Sequence, residues 1–162
     1  GELIRRLLTS ENLVTEGLFT DPSRPTTTKT RILAGSQQIC RTDVEVINAL
    51  SPDLSRKLLD YVETLISGGK IHALLVSDYD KGVIDKDLLR SVVRLCNEKG
   101  IPTSVDPNVT HFLDYVNVTI LTPNLRQLTR VMGRDARSQE DVVQLGREMD
   151  YRNLTNNIEC TW

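Results

Sequence analysis

The sequence predicts an α/β fold built on a mainly parallel sheet, with a β-hairpin set beside it. Three observations carry this expectation. Residues 71–76, 103–105 and 118–121 are short apolar runs rich in β-branched side chains, the pattern of buried strands. Between the first two, Leu88, Leu89, Val92, Val93, Leu95 and Cys96 recur at helical spacing, until Gly100 and then Ile101-Pro102 end the helix. Strand, helix and strand in about 30 residues form a βαβ unit, whose right-handed crossover makes the strands parallel. Third, residues 26–33 and 38–46 alternate loosely around Ala34-Gly35-Ser36, as the two strands of a hairpin do.

Parallel strands end at one edge, and ligands of open α/β sheets bind at that edge. It receives Ser77-Asp78-Tyr79-Asp80-Lys81-Gly82 after the first strand, Asp106-Pro107-Asn108 after the second and Thr122-Pro123-Asn124 after the third. These three turns are the candidate site.

The remaining elements follow from local signals. Leu3, Ile4, Leu7 and Leu8 predict a helix at the start of the chain, and residues 13–19 a short strand leading into a Pro- and Asp-rich loop over 20–25. The hairpin carries many polar groups for two short strands: Lys29, Arg31, Gln37, Gln38, Arg41 and Asp43. Taken by themselves these residues read first as a solvated sheet face, with a binding face as the alternative. Ser51-Pro52-Asp53 supplies an N-cap, a first-turn proline and a first-turn acid, so a helix starts there with the stripe Leu54, Leu58, Tyr61, Val62, Leu65 and Ile66. Gly68-Gly69 precedes a strand and does not link a strand to a helix, so it reads as a helix stop and not as a phosphate loop. Pro123 opens a helix with Leu125, Leu128, Val131 and Met132, closed by Gly133. Ser138 with Asp141 resembles a capping box for a helix over 139–149. Residues 151–162 are polar, with three Asn, and are expected to be a divergent tail and not a core strand.

Composition excludes several classes. The chain has 162 residues and a net charge of -2, which gives nucleic acid no basic footprint. No apolar run approaches the roughly 20 residues of a membrane span, and no leader pattern is present, so a cytoplasmic protein is expected. Cys40, Cys96 and Cys160 are widely spaced without a CxxC pair, which indicates neither a disulfide network nor a zinc site. The acceptor patterns at Asn108, Asn117 and Asn153 are read as coincidence.

The segment from Arg24 to Arg41, with Asp43 close behind, resembles the lid hairpin of the heptose 7-phosphate kinases, members of the ribokinase (PfkB) sugar kinases. Ser77-Asp78-Tyr79-Asp80-Lys81-Gly82 is similar to their SDYxKG turn, Val105-Asp106-Pro107-Asn108 to their VDPK, and Leu121 to Gln127 to their LTPNLxE. The resemblance covers residues 1–150 and implies the central part of a ribokinase-like three-layer α/β/α kinase domain, with a lid over about 26–46. It implies transfer of the γ-phosphoryl group of ATP, with magnesium, to the anomeric hydroxyl of a heptose 7-phosphate for lipopolysaccharide core synthesis. Asn124, Gln127, Asp106 and Asn108 would then lie in the nucleotide and magnesium region. Lys29, Arg31, Gln37, Gln38, Arg41, Asp78 and Lys81 would contact the phosphosugar, and the lid could pair two subunits. Two departures matter: Gln127 stands where the family has Glu, and Asn108 where it has Lys. The GAGD segment that carries the family's catalytic base does not occur in these residues. The expectation is an inactive isolated chain. The alternative is a non-catalytic remnant that binds nucleotide weakly or associates through its hairpin.

Overall fold

The computed structural model describes residues 1–150, the side chain of Asp150 excepted; the expectation for residues 151–162 lies outside the described residues. The elements in order are α1 (Glu2–Ser10), the hairpin β1 (Thr28–Ala34) and β2 (Gln37–Val44), α2 (Pro52–Ser67), β3 (Leu74–Ser77), α3 (Lys86–Glu98), β4 (Thr103–Asp106), β5 (Ile120–Leu121), α4 (Leu125–Met132) and α5 (Gln139–Asp150). A short 3₁₀ turn, Phe112–Asp114, lies between β4 and β5. The fold class is the expected one: β3, β4 and β5 are adjacent and parallel in that order, and β1 pairs antiparallel with β2 in a sheet of its own.

The helices begin where their caps stand. Ser51 Oγ accepts from the Leu54 amide at 3.3 Å and Asp85 Oδ1 from the Leu88 amide at 2.8 Å, each relieving one of the unpaired first-turn donors. Asn124, and not Pro123, caps α4. Ser138 Oγ accepts from the Asp141 amide while Asp141 Oδ2 accepts from the Ser138 amide, the reciprocal bonding expected for α5.

Two apolar clusters hold the body. Val76, Val105 and Leu121 of the sheet pack with Leu89 and Val93 of α3, Phe112, Tyr115, Leu128 of α4, and Leu145 and Met149 of α5. Leu88, Val92 and Cys96 on the next face of α3 meet Ile66 of α2 and Ile101. Burial of this kind contributes about 25 cal/mol per Å² of apolar surface removed from water. The sheet is shorter at its start than the apolar runs: residues 71–73 and 118–119 lie outside the ladders, and Leu75 of β3 stays 69% exposed.

The strand expected over residues 13–19 does not form. The Arg5 guanidinium takes the carbonyls of Thr15 (3.1 Å) and Leu18 (2.7 Å), and the Leu18 amide turns back to the Thr15 carbonyl, so the segment folds on itself beside α1. Phe19 then anchors it edge-on to Tyr61 of α2, with ring centroids 5.9 Å apart. No helix among the described residues is long and apolar enough to cross a membrane.

Candidate functional site

The carboxyl edge of the sheet is built around one enclosed acid. Beyond β3 the Asp78 amide donates to the Asp106 carbonyl at 3.0 Å, so the β3–β4 ladder continues into the turn and carries the Asp78 side chain inward. Burying a carboxylate is costly unless donors surround it. Three do: the Tyr115 hydroxyl donates to Oδ2 at 2.7 Å, His111 Nδ1 meets the same oxygen at 2.6 Å, and the Asp80 amide donates to Oδ1 at 2.7 Å. A bond from His111 Nδ1 to a carboxylate requires the proton on that nitrogen. The network continues outward, with Thr110 Oγ1 donating to Asp80 Oδ2 at 2.8 Å and His111 Nε2 lying 3.8 Å from Asp80 Oδ1. The Tyr115 hydroxyl also accepts from the Asn108 amide at 2.9 Å. Burial, joined by the Asp78 and Asp80 charges and opposed by the Asn108 bond, pushes the Tyr115 phenol far above its ordinary range, so it remains a donor at every physiological pH.

At the neighbouring turn the side chains lock to one another. Asn124 Oδ1 accepts from the Gln127 amide at 2.9 Å, and Gln127 Oε1 accepts from the Asn124 amide at 2.8 Å. Gln127 Nε2 donates to the Pro107 carbonyl at 2.7 Å, tying the start of α4 to the turn after β4. Asn108 Oδ1 accepts from the Thr110 amide, and the Asp106 side chain is exposed. Beside Asn124 lies an open cavity of about 730 Å³ whose lining includes Arg126, Thr129, Asp135 and Arg137. Its two arginines suit an anionic ligand such as a nucleotide phosphate. A magnesium ion fits poorly: both ends of the Gln127 amide are bonded, and no group of three His, Cys, Asp or Glu among the described residues is placed to hold a metal.

The Gln127 bonds make a prediction. Gln127→Glu turns a carboxylate oxygen toward the Pro107 carbonyl in place of a donor, and should cost about 1–3 kcal/mol of stability at neutral pH. The new acid would hold its proton more tightly folded than unfolded, so its folded pKa lies above the unfolded value of about 4.3 and the deficit should shrink as pH falls toward 4. Urea unfolding of both forms at pH 4 and pH 7 tests this; a deficit independent of pH would refute it.

The hairpin stands clear of the body, with every residue of β1 and β2 exposed. Paired residues in an antiparallel ladder share a face. Lys29 lies opposite Asp43 and Arg31 opposite Arg41, so these four share one face, while Ile32 opposite Cys40 and Thr28 opposite Val44 lie on the other. The register slips between Ile32 and Leu33, leaving Ile39 unpaired. That bulge sets Gln38 opposite Leu33 on the charged face and Gln37 opposite Ala34 on the other. Asp43 bridges Lys29 and Arg41, each at 2.8 Å, while Arg31 makes no ion pair among the described residues. Below the hairpin, Lys81 Nζ reaches Glu45 at 2.7 Å, and Arg24 donates to the carbonyls of Asn48 (2.9 Å) and Lys81 (2.7 Å).

The structure thus brings Asp78, Asp106, Asn108, Asn124 and Gln127 to one sheet edge, gathers Lys29, Arg31, Gln38 and Arg41 on one hairpin face, turns Gln37 away, and joins the two groups through Lys81. Sequence reasoning missed His111, Tyr115, Arg24 and Glu45. Tyr115 left one signal: a tyrosine in an apolar segment needs a partner for its hydroxyl.

No family profile matches the chain. It is 34% identical over 149 residues to the bifunctional protein HldE of Geobacter sulfurreducens, covering 92% of the chain and 30% of that protein. With HldE of Rhodospirillum rubrum it shares 36% identity over 161 residues, 99% of the chain and 32% of the relative. The chain therefore spans about a third of the length of these relatives. Among solved structures, a phosphofructokinase-2 mutant from Escherichia coli superposes with a TM-score of 0.70 at 19% identity, covering 98% of the chain and 52% of the enzyme. The tetrameric inhibited form of that enzyme gives 0.69 at 20% identity, covering 97% and 51%. The chain thus has the ribokinase-like fold of these phosphofructokinases and is similar in sequence to part of the HldE proteins.

Proposed function

We propose that the chain forms the lid-bearing, acceptor-side part of an ATP-dependent kinase related to the heptose 7-phosphate kinases, which moves a phosphoryl group to a hydroxyl of a phosphosugar. The observation that carries the reading is the joint between hairpin and sheet edge: the Lys81–Glu45 pair sets a face bearing Lys29, Arg31, Gln38 and Arg41 beside the turns that follow three parallel strands. Phosphoryl transfer depends on placing anions and offsetting their charge, and guanidinium forks suit a phosphate better than any other side chain. In this reading Arg31 and Arg41 take the sugar phosphate, while Asp78, with its oxygens already bonded, holds the turn and does not remove a proton. Asn124 and the arginines near it would face the nucleotide phosphates. The apolar hairpin face, with Ile32 48% and Val44 60% exposed, would be covered by the lid of a second copy.

The test is binding and turnover on the purified 162-residue chain with a heptose 7-phosphate, beside an HldE protein as positive control. Calorimetry should show phosphosugar binding weakened about tenfold or more by Arg41→Ala. Coupled ADP release should show no measurable turnover, because the GAGD segment is not among these residues. Absence of phosphosugar binding would overturn the assignment, and saturable sugar-dependent ADP release would overturn the inactivity.

One observation favours the non-catalytic reading for this chain. Gln127 and Asn108 are neutral, and each is engaged in local bonds. ATP binding should then gain little from magnesium, and Gln127→Glu should make it magnesium-dependent; titrations with and without the metal compare the two forms.

A further inference from the structure

The hairpin buries none of its residues, so packing does not set its direction over the sheet edge. Polar ties must. On the exit side these are the Lys81–Glu45 pair, the Arg24 bonds to the Asn48 and Lys81 carbonyls, and the Leu50 amide bonded to the Gly82 carbonyl at 3.0 Å. Only the first reaches the residue next to β2, and it alone joins two side chains. The others grip the chain at residue 48 and beyond and do not reach residues 45–47.

We infer that Glu45 is a positioning residue of the candidate site: it fixes the angle of the hairpin by holding Lys81 and by offering Lys29 a second partner. The two oxygens of its carboxylate are unequal. Oε1 holds Lys81 at 2.7 Å, whereas Oε2 is enclosed, accepts no hydrogen bond, and lies 3.9 Å from Lys29 Nζ. An enclosed carboxylate oxygen without a donor is costly, so Oε2 draws on Lys29, which bonds Asp43 at 2.8 Å. Arg41, Asp43, Lys29, Glu45 and Lys81 thereby form a chain of alternating charge that runs from the hairpin into the turn holding Asp78. A carboxylate in its middle aligns the hairpin cations with the sheet edge. Its bearing on ligand rests on the proposed phosphosugar reading, whereas the tie itself is tested without ligand.

The experiment uses NMR on the 162-residue chain, following the lysine side-chain signals and amide exchange. Glu45→Gln keeps the shape and removes the charge. It should move the Lys81 and Lys29 side-chain signals together and speed exchange of the Leu50 amide roughly tenfold, with Val105 and Leu121 unchanged. Asp43→Asn should leave Lys29 paired through Glu45, and its signal should collapse to that of an unpaired lysine only in the double variant. Lys81→Met, which breaks the pair from its other end, should speed Leu50 exchange by a similar factor, and Glu45→Gln with Lys81→Met together should exchange no faster than either alone, which two independent space-filling roles would not give. Unmoved lysine signals, or exchange that speeds multiplicatively when Glu45→Gln and Lys81→Met are combined, would overturn the inference. Titration with a heptose 7-phosphate separates the two readings. Binding weakened about fivefold by Glu45→Gln supports both, and no binding by any form, with the exchange pattern intact, removes the function while the tie stands.

Discussion

Replacing Gly82 with alanine should cost about 3 kcal/mol or more, the largest loss expected of any single methyl group added to this chain. A Cβ at Gly82 would lie 1.9 Å from the Asn48 carbonyl oxygen and 2.5 Å from its carbon, and the residue holds φ +76°. Backbone must give way, yet that carbonyl is gripped by Arg24 and the adjoining Leu50 amide is bonded to Gly82 itself. Gly133 supplies the control. It has a similar φ of +66° with nothing within 4 Å of its built Cβ, so its alanine variant should show only the backbone cost of about 1 kcal/mol. Urea unfolding of both variants separates conformation from collision. Equal losses would mean that the approach of the turn to the hairpin stem is looser than the structure has it.

The second large effect is expected at Tyr115. Tyr115→Phe keeps the buried ring and its edge contact with Phe112 but removes one hydroxyl. It deprives the Asp78 carboxylate of a donor and leaves the Asn108 amide without its acceptor. An enclosed charge that loses a hydrogen bond costs about 2–3 kcal/mol. Asp78→Asn removes the charge that the hydroxyl serves, so the double variant should be less destabilised than the sum of the two by about 1–2 kcal/mol. Additive losses in urea unfolding would show that the two groups do not act on one another.

The parts legible in the sequence were those whose cause is local. The β-branched run ending at Val76, the cap Ser51 and the glycine at 133 each act within a few residues, and the structure has the elements they announce. The strand expected over 13–19 fails because Arg5, from a helix ten residues upstream, takes two of the segment's carbonyls. At the site the sequence marked the turns but not what holds them. Asp78 meets His111 and Tyr115 across 33 and 37 residues, and Glu45 meets Lys81 across 36. Spacing rules for helices and strands say nothing at such distances. Gln127 was legible as a departure from Glu, yet its bond to Pro107 needed coordinates.

The bulge at Ile39 makes the hairpin sensitive to length more than to composition. Single substitutions on two exposed strands shift stability by about half a kcal/mol or less. Inserting one residue between Ile32 and Leu33, opposite Ile39, would let the ladder close regularly at little thermodynamic cost, and would rotate Gln38 away from Arg31 and Arg41 to the side of Ile32. An insertion there would be silent in a melting curve while exchanging which side chains each surface of the hairpin tip displays. For this element, counting residues says more about what it can touch than reading their types.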